Sequence, residues 1–301
     1  LIPSTFSSNF LISGGTIKVY GDAYNASGVP WVAVGMRNIT SDGHGQEWRS
    51  LSGNISIGAP AQLDGVGLGF PLSTGPGSGT TTGAHGGRGT QDGKDPYGNA
   101  SAPTSLGSTG LSINGATCCG GSGIKLQSND LINIIGFINM SATGGPVFSG
   151  AGGSIWLKAN NISGTGTIKA DGGNVLTSRG GGGGRIRLEY GSSMSYTGSV
   201  SVSTWWGSSQ TASNPGTLTF TNNTWPGDWN LTGNIGLLGG DFGDGATINV
   251  LGNFNTNNYN MTIYGDCFYS ATNPVTCWNK TADGRGVWIN ASGNITISSG
   301  S

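Results

Sequence analysis

Short stretches of alternating apolar and polar residues recur along this chain at a constant interval. The apolar anchors Ile124, Ile155 and Ile186 each follow a run of glycines and lie 31 residues apart. Looser echoes of the same stretch occur at Leu218 and Ile248. Alternation with a period of two is typical of β-strands with one buried face. Strands repeated at this interval predict a solenoid, in which each repeat packs on the next.

A second short strand follows each anchor and ends in small or polar residues. These second strands lie within 136–145, 166–173 and 198–204. In the third repeat, we expect Ile186 and Leu188 to point inward and Arg185 and Arg187 to point outward. Glycines between the strands permit positive φ and a close approach of neighbouring backbones. Successive repeats would then lie about 4.8 Å apart, with their strands paired in parallel.

The composition supports an all-β chain and excludes several classes of function. Glycine supplies 59 of the 301 residues, charged side chains only 9%, and the net charge is −1. Disorder is excluded, since disordered chains usually combine high net charge with few aromatic residues. The chain has no basic run that could neutralise nucleic-acid phosphates or bind an anionic membrane surface, and no apolar run approaches the ~20 residues of a membrane span.

Changes in the pattern divide the chain into four segments. Residues 1–57 carry alternating strands and are predicted to be the first repeats, and residues 58–120 are a glycine-rich insertion that covers the solenoid. A flexible linker is the alternative for that insertion. Residues 121–250 hold the regular repeats, and 251–301 the last ones with a cysteine loop. Because the chain begins at Leu1 with no leader, we expect a secreted product whose signal peptide has been removed.

Sequons for N-glycosylation are the second strong signal. The chain has twelve Asn-X-Ser/Thr sequences with X other than proline, whereas its composition predicts roughly six by chance. They are at Asn25, Asn38, Asn54, Asn99, Asn139, Asn161, Asn222, Asn230, Asn260, Asn279, Asn290 and Asn294. A coat of sugar would replace the surface charge that keeps most proteins soluble. We therefore expect covalent N-glycans and no other cofactor.

The cysteines favour the same oxidising compartment. There are four, Cys118, Cys119, Cys267 and Cys277. Cys267 and Cys277 bracket a polar loop, and a disulfide that closes it would add about 3 kcal/mol of stability. The adjacent Cys118 and Cys119 leave three possibilities open: a strained ring, separate partners or reduced thiols. A metal site is the alternative, but the spacing is not that of a zinc knuckle and the two histidines, His44 and His85, lie far away in sequence.

Four segments resemble a known group of proteins. Gly150–Leu157, Gly164–Gly173 and Gly180–Leu188 resemble the glycine-rich repeats of right-handed parallel β-helices in large secreted surface proteins. Tyr97–Ser108 resembles the stretch that precedes those repeats. With the dense sequons, the chain is similar to proteins of tubular flagellar hairs (mastigonemes) and related extracellular fibrils. The resemblance covers about residues 95–220 and implies an all-β fold, a right-handed parallel β-helix with a long glycine-rich insertion. No catalytic residue follows from it.

Catalysis is not expected from the acidic residues. Sugar-cleaving enzymes need clustered carboxylates, and the fourteen acids here are scattered. The best candidate pair is Asp241 and Asp244, in a glycine turn where acids usually bind their own backbone. The same applies to Asp92 and Asp95, and His85 has no evident nucleophile partner in sequence. Neither an enzyme nor a metal site is therefore predicted.

Two non-catalytic functions remain. A secreted carbohydrate-binding adhesin would use aromatic faces for sugars, and the candidates are Trp205, Trp206, Trp225, Trp229, Trp278 and Trp288. A structural subunit is the preferred hypothesis, because a sheet that ends in unpaired strands is a template for another copy. A head-to-tail contact of that kind makes an open filament of identical subunits. The expected partners are therefore copies of this chain, in an extracellular appendage, with neither nucleic acid nor a membrane span.

Overall fold

The computed structural model describes residues 4–23, 43–71, 73–80, 82–89, 94–110, 119–145, 149–173, 180–204, 213, 215–221, 224–225, 229–231, 235–238, 246–257, 261–264 and 287–298. Within these ranges the chain forms 22 strands, and every pairing between them is parallel. In chain order they are β1 Ser4–Phe6, β2 Phe10–Ile12, β3 Thr16–Lys18, β4 Gln46–Ser50, β5 Ile55–Ile57, β6 Gln62–Asp64, β7 Gly123–Ser128, β8 Leu131–Ile134, β9 Phe137–Asn139, β10 Ser154–Gly164, β11 Thr167–Lys169, β12 Arg185–Tyr196, β13 Ser199–Ser201, β14 Thr217–Phe220, β15 Thr224–Trp225, β16 Trp229–Asn230, β17 Ile235–Leu238, β18 Ala246–Val250, β19 Phe254–Asn255, β20 Met261–Tyr264, β21 Val287–Ala291 and β22 Ile295–Thr296.

The strands form one large sheet and three smaller ones. The large sheet has eleven strands, in the order β1-β4-β7-β10-β12-β14-β17-β20, with β2, β5 and β8 attached as a branch through β10. The second sheet has the order β13-β11-β9-β6-β3. The third and fourth sheets have three strands each, in the orders β15-β18-β21 and β16-β19-β22.

The 31-residue spacing sets the register of the central strands. Ile124 of β7 pairs with Ile155 of β10, which pairs with Ile186 of β12, and Leu218 of β14 follows. All four side chains are buried, as the alternation predicted. One hydrophobic core collects inward-facing residues from all four sheets, among them Ile138 of the second. Burial of these side chains is the main favourable contribution to folding.

The predicted fold class is wrong. A right-handed parallel β-helix solenoid with a long glycine-rich insertion requires regular short strands separated by corners. Strands β10 and β12 instead run for 11 and 12 residues, so that β10 pairs with both β7 and β8 and joins them in a single branched sheet. The observed fold is all-β with parallel strands, dominated by this large sheet with the second sheet beside it, and is not a regular solenoid.

Two features of the strand pairing depart from a single regular column of repeats. The echo at Ile248 does not continue the column of Leu218, because β14 pairs with β17 and Ile248 belongs to the third sheet. Within the region predicted to be an insertion, β6 lies between β3 and β9 in the second sheet. Hydrophobic period alone does not determine how far a strand continues, nor which sheet it joins.

Residues 94–110, which we call the crossing segment, contact several strands of the large sheet. The carbonyl oxygen of Thr104 accepts a hydrogen bond of 2.9 Å from Gly45 N, just before β4. Ser154 Oγ of β10 donates to Ser105 O over 2.7 Å. Thr219 Oγ1 of β14 donates to Ala100 O over 3.1 Å. The segment therefore ties together strands that lie far apart in sequence.

Glycine is required where backbones stack most closely. An added Cβ at Gly153 would lie 1.7 Å from the carbonyl oxygen of Ser122, and one at Gly107 would lie 2.0 Å from that of Ala151. Real Cβ atoms are not found at such distances, so these positions accept only glycine without a backbone shift. The glycine runs noticed in the sequence are thus a requirement for close approach between neighbouring segments.

Candidate functional site

The first three and the last three strands of the chain are edge strands among the described residues. Within the described residues, β1, β2 and β3 pair only with β4, β5 and β6, and β20, β21 and β22 likewise pair on one side only. An unpaired edge presents a row of backbone N–H and C=O groups that another strand can bind. Proline is absent from all six strands, and Lys18 of β3 is the only charged residue among them. The charge of Lys18 is bound by Asp64 of the next strand.

Apolar side chains are exposed at both of these edges. Ile17 of β3 is 36% exposed, although its neighbour in register, Leu63 of β6, is fully buried. Ile295 of β22 is 52% exposed, although its neighbour Phe254 of β19 is buried. Each of these isoleucines continues an inward-facing column of the core and lacks a neighbouring strand on one side. The edges therefore combine strands that pair on one side only, within the described residues, with an apolar surface that a further strand would bury.

The predicted glycosylation sites fall into three groups. Asn99, Asn290 and Asn294 are exposed, and Asn54, Asn139 and Asn161 are half-buried. Asn230 lies in β16, where the structure describes the backbone. The remaining predicted sites lie outside the described residues: Asn25, Asn38, Asn222, Asn260 and Asn279. Occupancy at every site stays a prediction.

Hydrogen bonds orient three of the sequon side chains. Asn99 Oδ1 accepts from Ser101 N over 2.8 Å, and Asn139 Oδ1 accepts from Ser141 N over 3.2 Å. Asn161 Oδ1 accepts from Ser193 Oγ over 2.7 Å. In each case the bond uses the amide oxygen, and an N-glycan is carried by the amide nitrogen Nδ2. These contacts are compatible with attached sugar.

The structure does not test the predicted pairing of the cysteines. Cys118, Cys267 and Cys277 lie outside the described residues. Cys119 is half-buried, and its backbone N donates to Thr143 Oγ1 over 2.7 Å.

The candidate acids do not assemble in the described ranges. Asp92, Asp241 and Asp244 lie outside them, and Asp95 is exposed. His44 and Asp22 lie 3.6 Å apart, Nδ1 to Oδ2, on the surface. Among the described residues, no group of three or more His, Cys, Asp or Glu side chains could hold a metal ion.

A buried polar cluster forms beneath the crossing segment. His85 is completely buried, and its Nδ1 lies 2.8 Å from the carbonyl oxygen of Gly152, so that Nδ1 carries the proton and donates it. The tyrosine ring of Tyr97 lies 5.0 Å from the imidazole, centroid to centroid. Arg185 was expected on the outside, but its side chain is buried, with 1% exposed. Its Nε and Nη2 donate to Tyr97 O of the crossing segment over 3.0 and 2.9 Å.

The charge state of His85 follows from this environment. Burial, with the positive charge of Arg185 added, lowers the pKa of His85 from 6.5 to about 3. The ring nitrogen Nε2 is buried and has no hydrogen-bond partner among the described residues. A proton placed there would add a charge and an unpaired N–H to the interior, which is costly. His85 is therefore neutral at physiological pH and acts in packing.

A charged network lies on the outer face of the large sheet. Glu189 accepts from Lys158 Nζ at 2.6 Å, from Arg187 Nε at 3.3 Å and from Trp156 Nε1 at 3.0 Å. Burial raises the pKa of Glu189, but the hydrogen bonds and charges of Lys158 and Arg187 together lower it by more, so that the pKa lies below its usual value. Lys125 Nζ lies 4.3 Å from the centre of the Trp156 ring. Glu189 offsets part of the positive charge of Lys125, Lys158 and Arg187, and Lys125 covers the ring.

Two of the six tryptophans proposed for sugar binding lie in the interior. Trp225 and Trp229 are buried and stack with their ring centroids 5.3 Å apart. Both belong to the core. Trp205, Trp206 and Trp278 lie outside the described residues, and Trp288 lies in β21.

Sequence reasoning missed two of these groups. The outer network had a detectable signal, since Lys125, Trp156 and Arg187 lie 31 residues apart and occupy neighbouring positions across β7, β10 and β12. The cluster around His85 had none, because it joins the crossing segment to β12 across more than eighty residues of sequence.

Comparisons with known proteins do not assign this chain to a family. Within the described ranges, the chain has no helix whose length and apolarity would let it cross a bilayer. Searches with protein-family models, among curated protein sequences and among solved structures give no match.

Proposed function

We propose that this chain is a structural subunit of an extracellular, heavily N-glycosylated fibril or surface appendage that assembles from identical subunits. The observation that carries the proposal is the pair of sheet edges, β1 to β3 and β20 to β22, with core residues exposed at each. Pairing one edge of one copy with the other edge of the next satisfies the backbone groups and buries Ile17 and Ile295. A contact between two different edges does not close and extends into a filament.

The low surface charge supports an assembly that depends on sugar for solubility. The chain has 13 basic and 14 acidic residues in 301, and several of these are already paired within the outer network. Exposed sequons such as Asn99 provide places where glycans would keep the sides of a filament hydrated. Secretion and an extracellular location are parts of the same proposal.

Two edge variants test the assembly. Ile17→Lys and Ile295→Lys each place a charge at one edge, where a paired strand would bury it. In sedimentation analysis and electron microscopy of the secreted full chain, the unmodified protein should form filaments and each variant alone should not. Ile135→Lys is the matched control, because Ile135 is 46% exposed and follows β8, which pairs on both sides. This control should still form filaments.

Mixing the two edge variants tests the direction of assembly. Each variant keeps one intact edge, so an equal mixture should give dimers that cannot extend. Larger polymers in the mixture, or an unmodified protein that stays monomeric at high concentration, would refute the proposal. Binding of free glycans by such a monomer would favour a carbohydrate-binding adhesin instead.

A further inference from the structure

Strand β9 carries an exposed aromatic ring beside a glycosylation sequon. Phe137 is 48% exposed and is the only aromatic residue among the exposed large apolar side chains of the described ranges. Ile138 is fully buried in the core, and Asn139, the sequon residue, follows it. Because side chains alternate along a strand, Phe137 and Asn139 lie on the same outer face, about 6.6–6.8 Å apart along the strand.

The neighbouring strands surround this ring with polar side chains. Gln62 of β6 and Thr167 of β11 pair with Phe137 on its two sides. In the next row, Asn139 lies between Asp64 and Lys169. The ring is therefore a small apolar surface with polar neighbours on the two adjacent strands, and its width matches one sugar ring.

The acidic and the basic neighbour of Asn139 each form an ion pair with another residue. Asp64 binds Lys18 of β3, and Lys169 Nζ lies 3.0 Å from Asp171 Oδ2. Lys169 remains 41% exposed in its side chain, so its ammonium group is still accessible to a hydroxyl acceptor. The amide of Asn139 is held through its oxygen by Ser141 N, as described above, and its Nδ2 donates to no other residue in the described part of the chain.

We propose that Asn139 carries an N-glycan whose first N-acetylglucosamine lies back on the exposed ring of Phe137. The inference rests on the proposed secretion of the chain. Attachment forms a bond from Nδ2 to C1 of the sugar as the C1–O bond to a lipid diphosphate donor breaks. The amide loses one proton and the lipid diphosphate leaves. The C–H groups of the sugar then cover the aromatic face, and Lys169 and Asp64 flank its hydroxyl groups.

A second sequon repeats the same order of residues. Trp288, Ile289 and Asn290 lie in β21, where Ile289 packs against the core and Asn290 is exposed. Both sequences read aromatic, isoleucine, asparagine, a small or flexible residue and serine. A strand with an aromatic residue two positions before the sequon asparagine therefore occurs twice, in β9 and in β21.

The test compares sugar and ring in a four-protein cycle. The secreted chain and its Phe137→Ala variant are each prepared with and without Asn139→Gln, and glycans are trimmed to a single N-acetylglucosamine. Site occupancy is measured by glycopeptide mass spectrometry, and unfolding by denaturant. Loss of the Ser141 contact in Asn139→Gln is common to both backgrounds and cancels.

The expected result is coupling between the two positions. Asn139→Gln should raise the unfolding equilibrium constant about 5-fold more in the Phe137 background than in Phe137→Ala, as an aromatic contact of ordinary strength predicts. Asn294→Gln is the control, because the residue two positions before Asn294 is Ser292 and not an aromatic residue. Its effect should be the same with Phe137 and with Phe137→Ala.

The outcomes separate this inference from the proposed function. Equal effects of Asn139→Gln in both backgrounds, or an unmodified Asn139 in a chain glycosylated elsewhere, would overturn the inference alone. Absence of sugar at every sequon would overturn the secreted glycoprotein as well. Coupling in a chain that never assembles would support the inference and count against the fibril.

Discussion

Acid is expected to weaken this protein through one buried side chain, His85. Its ring is neutral in the folded state, with a pKa of about 3, whereas the unfolded chain has the ordinary value of 6.5. Below pH 6.5 the unfolded chain binds a proton that the folded chain does not, so the free energy of unfolding falls as the pH decreases. The contribution is fully present above pH 6.5 and is lost progressively down to about pH 3.

The magnitude follows from the separation of the two values. At about pH 5 the unfolded pKa is 1.5 units above the solution pH, and each unit corresponds to about 1.4 kcal/mol. The expected loss from His85 alone is therefore about 2 kcal/mol between about pH 7.5 and 5. No discount for solvent screening applies, because the ring is completely buried.

The assay is urea denaturation of the folded monomer at the two pH values, in the original chain and in His85→Asn. The amide nitrogen of asparagine can still donate to Gly152 O, and the new side chain does not titrate. His85→Asn is expected to be less stable at about pH 7.5, because it loses the ring contact with Tyr97 and leaves a cavity. Its further loss at about pH 5 should be smaller than that of the original chain by about 2 kcal/mol.

A matched control separates His85 from general acid effects. His44→Asn makes the same substitution at an exposed position near Asp22 and controls for the replacement itself. Acid effects on the rest of the molecule are common to His85→Asn and the original chain and cancel in that comparison. If His85→Asn and the original chain lose the same stability between the two pH values, the reasoning from burial and the charge of Arg185 is wrong.

The remaining predictions concern the outer network and the close backbone contacts. Glu189→Gln should destabilise the fold by about 1 kcal/mol through the loss of its charged bond to Lys158, and the difference should shrink in high salt; an equal difference at both salt concentrations in urea denaturation would contradict this. Gly153→Ala should cost about 3 kcal/mol or more, because the new Cβ meets Ser122 O at 1.7 Å. Gly14→Ala, with no atom within 4 Å of the new Cβ, should leave stability unchanged or raise it by up to about 1 kcal/mol. Similar thermal unfolding of the two alanine variants would refute the argument from close approach.

The sequence predicted local strands and their register better than it predicted the fold. The spacing of Ile124, Ile155 and Ile186 correctly placed three buried residues side by side, because parallel pairing of equal repeats brings equivalent positions together. The regular solenoid was wrong, since no local signal shows that β10 extends as one strand from Ser154 to Gly164, through an irregularity of its pairing between Ala159 and Asn161. Continuation depends on hydrogen bonds offered by the neighbouring strands.

Burial by distant segments was equally hidden. Arg185 alternates with Ile186 and so was expected outside, and only the crossing segment, far away in sequence, makes it an interior residue. The exposed edges had a partial signal in the absence of proline and the scarcity of charge. For Phe137, alternation assigns the ring to the outer face of the strand. It does not show which side chains surround the ring, so the exposed fraction could not be predicted.

The crossing segment has a mechanical consequence for a fibre under tension. Hydrogen bonds between parallel strands point along the direction in which the strands are stacked, so a pull in that direction opens them row by row. The crossing segment contacts the region before β4 through Thr104 and the strand β14 through Ala100, and its own links are covalent. If the chain assembles as proposed, the crossing segment would distribute a load in that direction among rows that would otherwise separate one at a time.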